Sequence, residues 1–433
     1  MNVYMEIANK GLHALLQLFI NPFYYIGIIF IILQYRRQIS LERKLFHTKL
    51  HSLLGQTWKT LLWGWVGGLA ASIVMAFVGA TVQAEAIVFL WVISLLLLFI
   101  RVRFLCWAYA IGVIGILHSL WIMVPALSGY PSMSWFADPL LQLNMPSLLA
   151  LIAILHIVEA ILIRKRGAET GTPMFYESKR GKIVGGYQLQ GFWPVVLFLV
   201  VPMQGGGSLL PWTPLMGGDL WSGGWAIIGF PMMLGFADIT LSRLPQEKAR
   251  ISSNLLLLYA AVVLLLALLA YLGPIATIIA SMGCIALHES LRLYSRWDES
   301  NRQPYFVHDH RGLKILGIIP GSPAAELGIV PGEMIHKVNG QPIGSRQELH
   351  QAIMLNSAFC KLEILNLAGE NKFLKRAMFS GEHHQLGIIL APDQDALYYA
   401  EEKQLHFLGY LRSRLSGVNR KQPRKPVSVE EQL

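Results

Sequence analysis

Charge is what this sequence lacks most. Only 14% of its 433 residues are Asp, Glu, Lys or Arg, against about 25% in an ordinary soluble domain. The deficit is uneven: long apolar runs fill the chain up to residue 291, and the remainder has ordinary globular composition. Cysteine is scarce too. Two of the three, Cys106 and Cys284, fall inside apolar runs and Cys360 falls in a predicted strand. That pattern offers no disulfide framework and predicts three small core residues. No cleavable leader is expected, because basic residues follow the first apolar run instead of preceding it. The net charge of +10 does not point to nucleic acid, since Lys and Arg gather at the ends of apolar runs, a membrane-topology signal.

Catalytic signatures are also missing. A zinc protease needs His-Glu-x-x-His, and the nearest match, His288-Glu289-Ser290-Leu291-Arg292, has Arg in the second ligand position. No Gly-x-Ser-x-Gly turn and no internal repeat occur. The expectation is a protein that is not an enzyme, with no cofactor and no metal site. Ionisable residues inside apolar runs are His118, then His156 and Glu159, with Asp238 and the pair His288 and Glu289 near run ends. His156 and Glu159 share one helix face at i,i+3 spacing. Two readings of that pair stay open: a proton or half-metal site, or a hydrogen-bonded pair that fixes helix packing.

What is present is a series of nine apolar runs, at 12–33, 61–80, 86–100, 104–124, 146–163, 192–203, 225–241, 255–272 and 275–291. A span needs ~20 such residues, so the chain over 1–291 reads as a polytopic α-helical membrane domain of nine spans. The count becomes eight if 192–203 forms a re-entrant element with the glycines at 205–207. Arg36, Arg37, Arg43, Lys44, Lys49 and Lys59 lie in the first connection between runs, and Arg101 and Arg103 in the third. The fifth holds Arg164, Lys165, Arg166, Lys179, Arg180 and Lys182, and the seventh Arg243, Lys248 and Arg250, while the even connections hold neither Lys nor Arg. The positive-inside rule then puts the N-terminus outside and the segment after 291 in the cytoplasm. Within 34–60, Phe46, Leu50, Leu53, Leu54 and Trp58 recur at helical spacing among basic residues. This predicts either an interfacial amphipathic helix on anionic lipid or an extension of the second span. The Gly-, Pro- and Trp-rich stretch 204–224 reads as an irregular loop at the outer interface.

From 305 the pattern becomes α+β. A strand at 313–319 is followed by Pro320-Gly321, a Ser322-capped short helix and a second strand at 332–338 closed by Asn339-Gly340. Ser345-Arg346-Gln347-Glu348 is a capping box opening a helix to about 356. A hairpin of 359–365 with 372–379 and a last strand at 386–390 complete the series. After Pro392 a helix over 393–416 is expected, then a basic disordered tail, 417–433, that either touches anionic lipid or only solubilises.

The words Gly-Ser-Pro-Ala-Ala-Glu-Leu-Gly-Ile and Pro-Gly-Glu-Met-Ile-His-Lys-Val-Asn-Gly within 321–340 resemble bacterial PDZ domains. The resemblance implies a domain over 305–392 in which backbone N–H groups of a loop hold a peptide's terminal carboxylate, and the peptide adds as a strand. That loop usually reads aromatic-Leu-Gly-Ile and comes first. Here Gln385-Leu386-Gly387-Ile388 comes last, so the domain is expected to be circularly permuted. By the family's pattern Arg346, His350 and Ile353 face the groove, and Leu349 and Ala352 the core. Gln385 in place of an aromatic leaves the ligand class open. Many spans before a lone PDZ domain, with the ending His383-His384-Gln385-Leu386-Gly387-Ile388, resemble the MinJ family of division-site adaptors of rod-shaped Gram-positive bacteria. That likeness implies a scaffold linking a DivIVA-like pole protein to a MinD-like ATPase, with no nucleic acid, enriched at septum and poles where it places the Min division inhibitor. The alternative is a membrane enzyme or transporter regulated by its PDZ domain and using His156 and Glu159.

Overall fold

The computed structural model describes residues 3–124, 133–178, 181–203, 209–216, 221, 223–309, 311–356, 358–377, 386–393, 398–401 and 425–428. Its first part is a helical unit of α1 (Val3–Ile20), α2 (Pro22–Phe46), α3 (Leu53–Val78), α4 (Ala84–Ile100), α5 (Trp107–Met123), α6 (Ser134–Leu141) and α7 (Met145–Arg166). Strands β1 (Thr172–Glu177), β2 (Ile183–Pro202) and β3 (Trp225–Thr240) follow, then α8 (Pro245–Leu269) and α9 (Pro274–Asn301). Among the described residues four helices are long and apolar enough to cross a bilayer, or five if the bent pair α1 and α2 is one span. The central one is α7, with 78% of its apolar window buried, whereas that of α9 is 22% buried. The outer helices turn large apolar side chains outward, among them Leu62, Val66, Leu69 and Ile73 of α3 and Leu258, Leu265 and Leu268 of α8. In water such a surface is unfavourable; in hydrocarbon it is the expected one.

The apolar runs do not all form straight helices. The run 12–33 is not one straight helix, because Asn21 caps α2 by accepting the N–H of Phe23 and Pro22 stands at its first position. A residue before proline is pushed out of helical geometry, and the two helices meet bent by 56°. Runs 192–203 and 225–241 are strands, not helices. They carry paired valines (Val195 and Val196, Val200 and Val201) and are broken by Pro194, Gly229, Pro231 and Gly235, so both β preference and helix breaking act against a span. The strands pair antiparallel from Tyr187 with Thr240 to Pro202 with Trp225. That ladder is about 50 Å long, and its open ends, Tyr187 and Thr240, stand side by side. Within 34–60 no separate amphipathic helix forms; the helix of the second span begins at Leu53, so the extension reading holds for 53–60. His47 takes a left-handed conformation that ends α2, and Ser52 caps α3. The buried Glu42 carboxylate accepts the N–H groups of Leu50 and His51 in the turn between them.

A hairpin packed among apolar helices must cover its edges, since backbone groups buried there have no water to bind. Small residues of the helices do this. A Cβ on Gly64 would sit 2.3 Å from the carbonyl oxygen of Pro194, and one on Gly68 2.1 Å from that of Val196. Close approach of α3 to β2 thus requires glycine. Ser72 then accepts the N–H of Phe198 at 2.8 Å. On the other side Gly229 of β3 meets the backbone of Ala14 in α1, and Lys10 donates to the carbonyl of Trp225 at 2.8 Å.

The second part contains β4 (Leu313–Ile318), α10 (Pro323–Glu326), β5 (Met334–Val338), β6 (Gln341–Pro342), α11 (Arg346–Met354), β7 (Phe359–Leu365), β8 (Asn371–Ala377) and β9 (Ile388–Leu390). Its sheet runs β8-β7-β5-β4-β9, with β6 beside β5. The Asn339-Gly340 turn has positive φ at both residues, the condition for a tight hairpin turn. Ser345 accepts the N–H of Glu348 at 3.2 Å, while Glu348 takes that of Gly344 at 2.7 Å. The helix expected over 393–416 is corrected at its described residues: Tyr398–Glu401 is a strand, β10, where a Tyr-Tyr pair favours extended backbone and β1 offers an edge. Within the tail expected to be disordered, Lys425–Ser428 is a strand, β11, because β10 supplies an edge to which it pairs in parallel. The rest of the helix and tail expectations, like Lys179 and Arg180, lie outside the described residues.

The two parts meet at the start of β2. Phe306 is fully buried, its carbonyl accepts the N–H of Gly185 at 3.0 Å, and its ring lies 5.4 Å from that of Tyr187. The Tyr187 hydroxyl donates to the carbonyl of Leu316 in β4. Leu316 and Ile389 join the hydrophobic core of the helical unit, while Ile388 and Leu390 pack on the core of the second part.

Candidate functional site

Strand β9 is the outer strand of its sheet, and the turn before it is fixed by two inward-facing carbonyls. Leu386 accepts the N–H of Ala324 at 2.9 Å, and Gly387 accepts that of Ile319 at 2.8 Å. In a trans peptide the N–H that follows a carbonyl points the opposite way, so the N–H groups of Gly387 and Ile388 face away from the fold. The register agrees. Ile388 stands opposite Ile318, and with Ile319 bonded to Gly387 this is the pair whose own N–H and C=O turn outward. Gly387 holds φ +77, and a Cβ there would lie 2.1 Å from the Cβ of Ser322. Only glycine fits this turn.

The sequence-predicted residues are placed as follows. Leu386 is buried at the base of the turn and shares a core cluster with Ile353 and Ala352 of α11. Arg346 and His350, one helical turn apart, are exposed on α11, and Leu349 is half-buried against the core. Gln385 lies outside the described residues. Asn339 ties the helix to the sheet: its side chain donates to the carbonyl of Ala352 at 2.8 Å and accepts the N–H of Lys361 at 2.9 Å. Sequence reasoning treated Asn339 only as a turn residue.

The residues of the alternative reading lie elsewhere. His156 is buried in α7, with Nδ1 donating to the carbonyl of Ile152 at 2.8 Å. A Glu159 carboxylate oxygen lies 4.0 Å from His156 Nε2. Sequence spacing missed that Cys106 and His288 approach the same imidazole. Glu289 accepts the hydroxyl of Tyr109 at 2.8 Å and pairs with Arg103 at 3.2 Å and with Arg292.

Comparisons with known proteins agree with this layout. The PDZ domain family matches residues 314–361. The chain is 29% identical over 385 residues to the cell division topological determinant MinJ of Bacillus subtilis (strain 168), covering 87% of this chain and 93% of that one. It is 24% identical over 299 residues to a probable MinJ of Lacticaseibacillus paracasei, covering 65% of this chain and 76% of that one. A 75-residue stretch is 35% identical to a probable periplasmic serine endoprotease DegP-like protein of Chlamydia muridarum, but spans only 15% of it. That stretch carries no protease assignment. No solved structure matches.

Proposed function

Because the chain is a MinJ-like cell-division determinant with a PDZ domain, we propose that it is a non-enzymatic membrane adaptor that gathers cytoplasmic partners at the division site. The observation that carries the proposal is the outer edge of β9, where Gly387 and Ile388 turn their N–H groups outward next to Leu386, which shares a core cluster with Ile353 of α11. An extended peptide adds there as a further strand, its terminal carboxylate on those two N–H groups. Leu386 and Ile353 form the floor and Arg346 and His350 the rim. The domain, over 305–392, is then a circularly permuted PDZ fold with its ligand strand last. Alternating Lys and Arg content supports a cytoplasmic position for it and an outside N-terminus. The partners implied by the MinJ likeness are a DivIVA-like pole scaffold and a MinD-like ATPase, and the outcome is a division inhibitor concentrated at poles and septa. Contacts through Tyr187 and Phe306 support a groove held close to the membrane, where tethering raises the effective concentration of membrane-bound partners without chemistry.

The experiment compares two changes in cells. Glu159→Gln removes the carboxyl that proton transfer or transport would need while keeping its volume. Gly387→Val fills the turn that presents the two N–H groups and leaves the contacts of Phe306 and Leu316 with the helical unit in place. The adaptor reading predicts normal septum placement in the first and misplacement in the second; the reverse pattern favours the enzyme or transporter reading.

A further inference from the structure

We infer that Cys106, His156 and His288 form a binding site for a zinc-class transition-metal ion between α5, α7 and α9. The three come from helices far apart in sequence: Cys106 is the residue that opens α5, His156 lies within α7 and His288 within α9. The Cys106 sulfur is 3.7 Å from His156 Nε2 and 3.6 Å from His288 Nε2, and the three ligand atoms lie within 4.8 Å of one another. With Zn–S of about 2.3 Å and Zn–N of about 2.0–2.1 Å, tetrahedral geometry separates sulfur from nitrogen by roughly 3.6 Å. The side chains already stand at that separation.

Hydrogen bonding alone does not satisfy the group. His156 Nδ1 donates to Ile152, so its Nε2 points into the cluster as a lone pair. The hydroxyl of Tyr109 gives its hydrogen to Glu289 and lies 3.2 Å from His288 Nδ1. Nδ1 is therefore the donor to Tyr109, and His288 Nε2 is a second inward lone pair. Two inward acceptors, one on the buried His156 and one on the half-buried His288, share one S–H, which can serve only one of them. A cation serves both and takes the sulfur as thiolate. The Glu289–Tyr109–His288 chain then orients a ligand from outside, as metal-bound imidazoles require. The Glu159 carboxyl group stands beside the three, 4.0 Å from His156 Nε2. Thiolate with imidazole selects zinc or copper over magnesium or calcium. The bound ion clasps the start of α5 to α7 and α9, beneath the charges of Arg103, Glu289 and Arg292.

The test uses full-length protein purified through a histidine-free tag, incubated with zinc and desalted. About one zinc per chain is expected by elemental analysis, and cobalt is expected to give a near-ultraviolet sulfur-to-metal band. Both are lost in Cys106→Ser and in His288→Ala and kept in Cys284→Ser. Zinc also raises the thermal midpoint of the unaltered chain and of Cys284→Ser but not of Cys106→Ser, which separates ligand loss from misfolding. Zinc absent from the unaltered chain, or retained equally by Cys106→Ser and His288→Ala, overturns the assignment.

Discussion

Gly387→Ala is the sharpest probe of the turn before β9. Alanine there must adopt φ +77, and its Cβ would lie 2.1 Å from the Cβ of Ser322 and 2.3 Å from its Oγ. The left-handed conformation costs about 1–2 kcal/mol, and forcing a methyl into filled space about 1–3 kcal/mol. Together these give roughly 2–5 kcal/mol, a local opening increased from about 30-fold to a few thousand-fold. Gly321→Ala is the matched control: it has φ +72 but nothing within 4 Å of the new Cβ, so it carries the conformational cost alone. Hydrogen exchange on the full-length protein in micelles reads both. The amides of β4 and β9 are expected to lose protection in Gly387→Ala well beyond the loss in Gly321→Ala, while those of α7 are unchanged. Equal losses in the two variants would refute the close approach of Ser322 on which the groove geometry rests.

Other outcomes follow from the same physics. Asn339→Ala leaves the Ala352 carbonyl and the Lys361 N–H without their partner, and is expected to destabilise the PDZ part by about 1–3 kcal/mol, read from protection of β5 and β7. Gly68→Val drives a branched side chain into the carbonyl of Val196 and is expected to abolish folded, monodisperse protein, whereas Gly11→Val, with nothing within 4 Å, is expected to be tolerated. Burial holds the His308 imidazole below its usual pKa, against the pull of Asp393, and its Nδ1 accepts the N–H of Lys314 at 3.1 Å. The unfolded chain therefore binds a proton before the folded one does, so His308's contribution is intact above about pH 6.5 and falls as pH drops below it. The thermal midpoint is expected to fall between pH 7.5 and 5.5 by more in the unaltered chain than in His308→Gln.

The PDZ part was legible because its signals are local. Ser322 and Ser345 cap helices, Asn339-Gly340 makes a turn, and the strands alternate, each within a few residues. The membrane part was legible in its apolar total but not in its elements. A buried strand and a buried helix are both simply apolar, and only the glycines and prolines of 192–203 and 225–241 marked the hairpin. The matching glycines of α3 and the small residues of α1 that cover its edges lie more than a hundred residues away. Separations of 50 and 182 residues hid Cys106 from His156 and His288, since no spacing rule joins ligands on three separate helices. The strand at 398–401 depends on an edge supplied by β1, and that at 425–428 on one supplied by β10, which no local pattern reveals.

Septum position measures the central claim most directly. Cells whose only copy of this chain carries Gly387→Val, with normal amounts of protein at the membrane, should misplace septa as cells lacking the chain do. Cells carrying Glu159→Gln should divide at the normal site. Normal placement in cells lacking the chain, or in the Gly387→Val cells, would contradict the adaptor account.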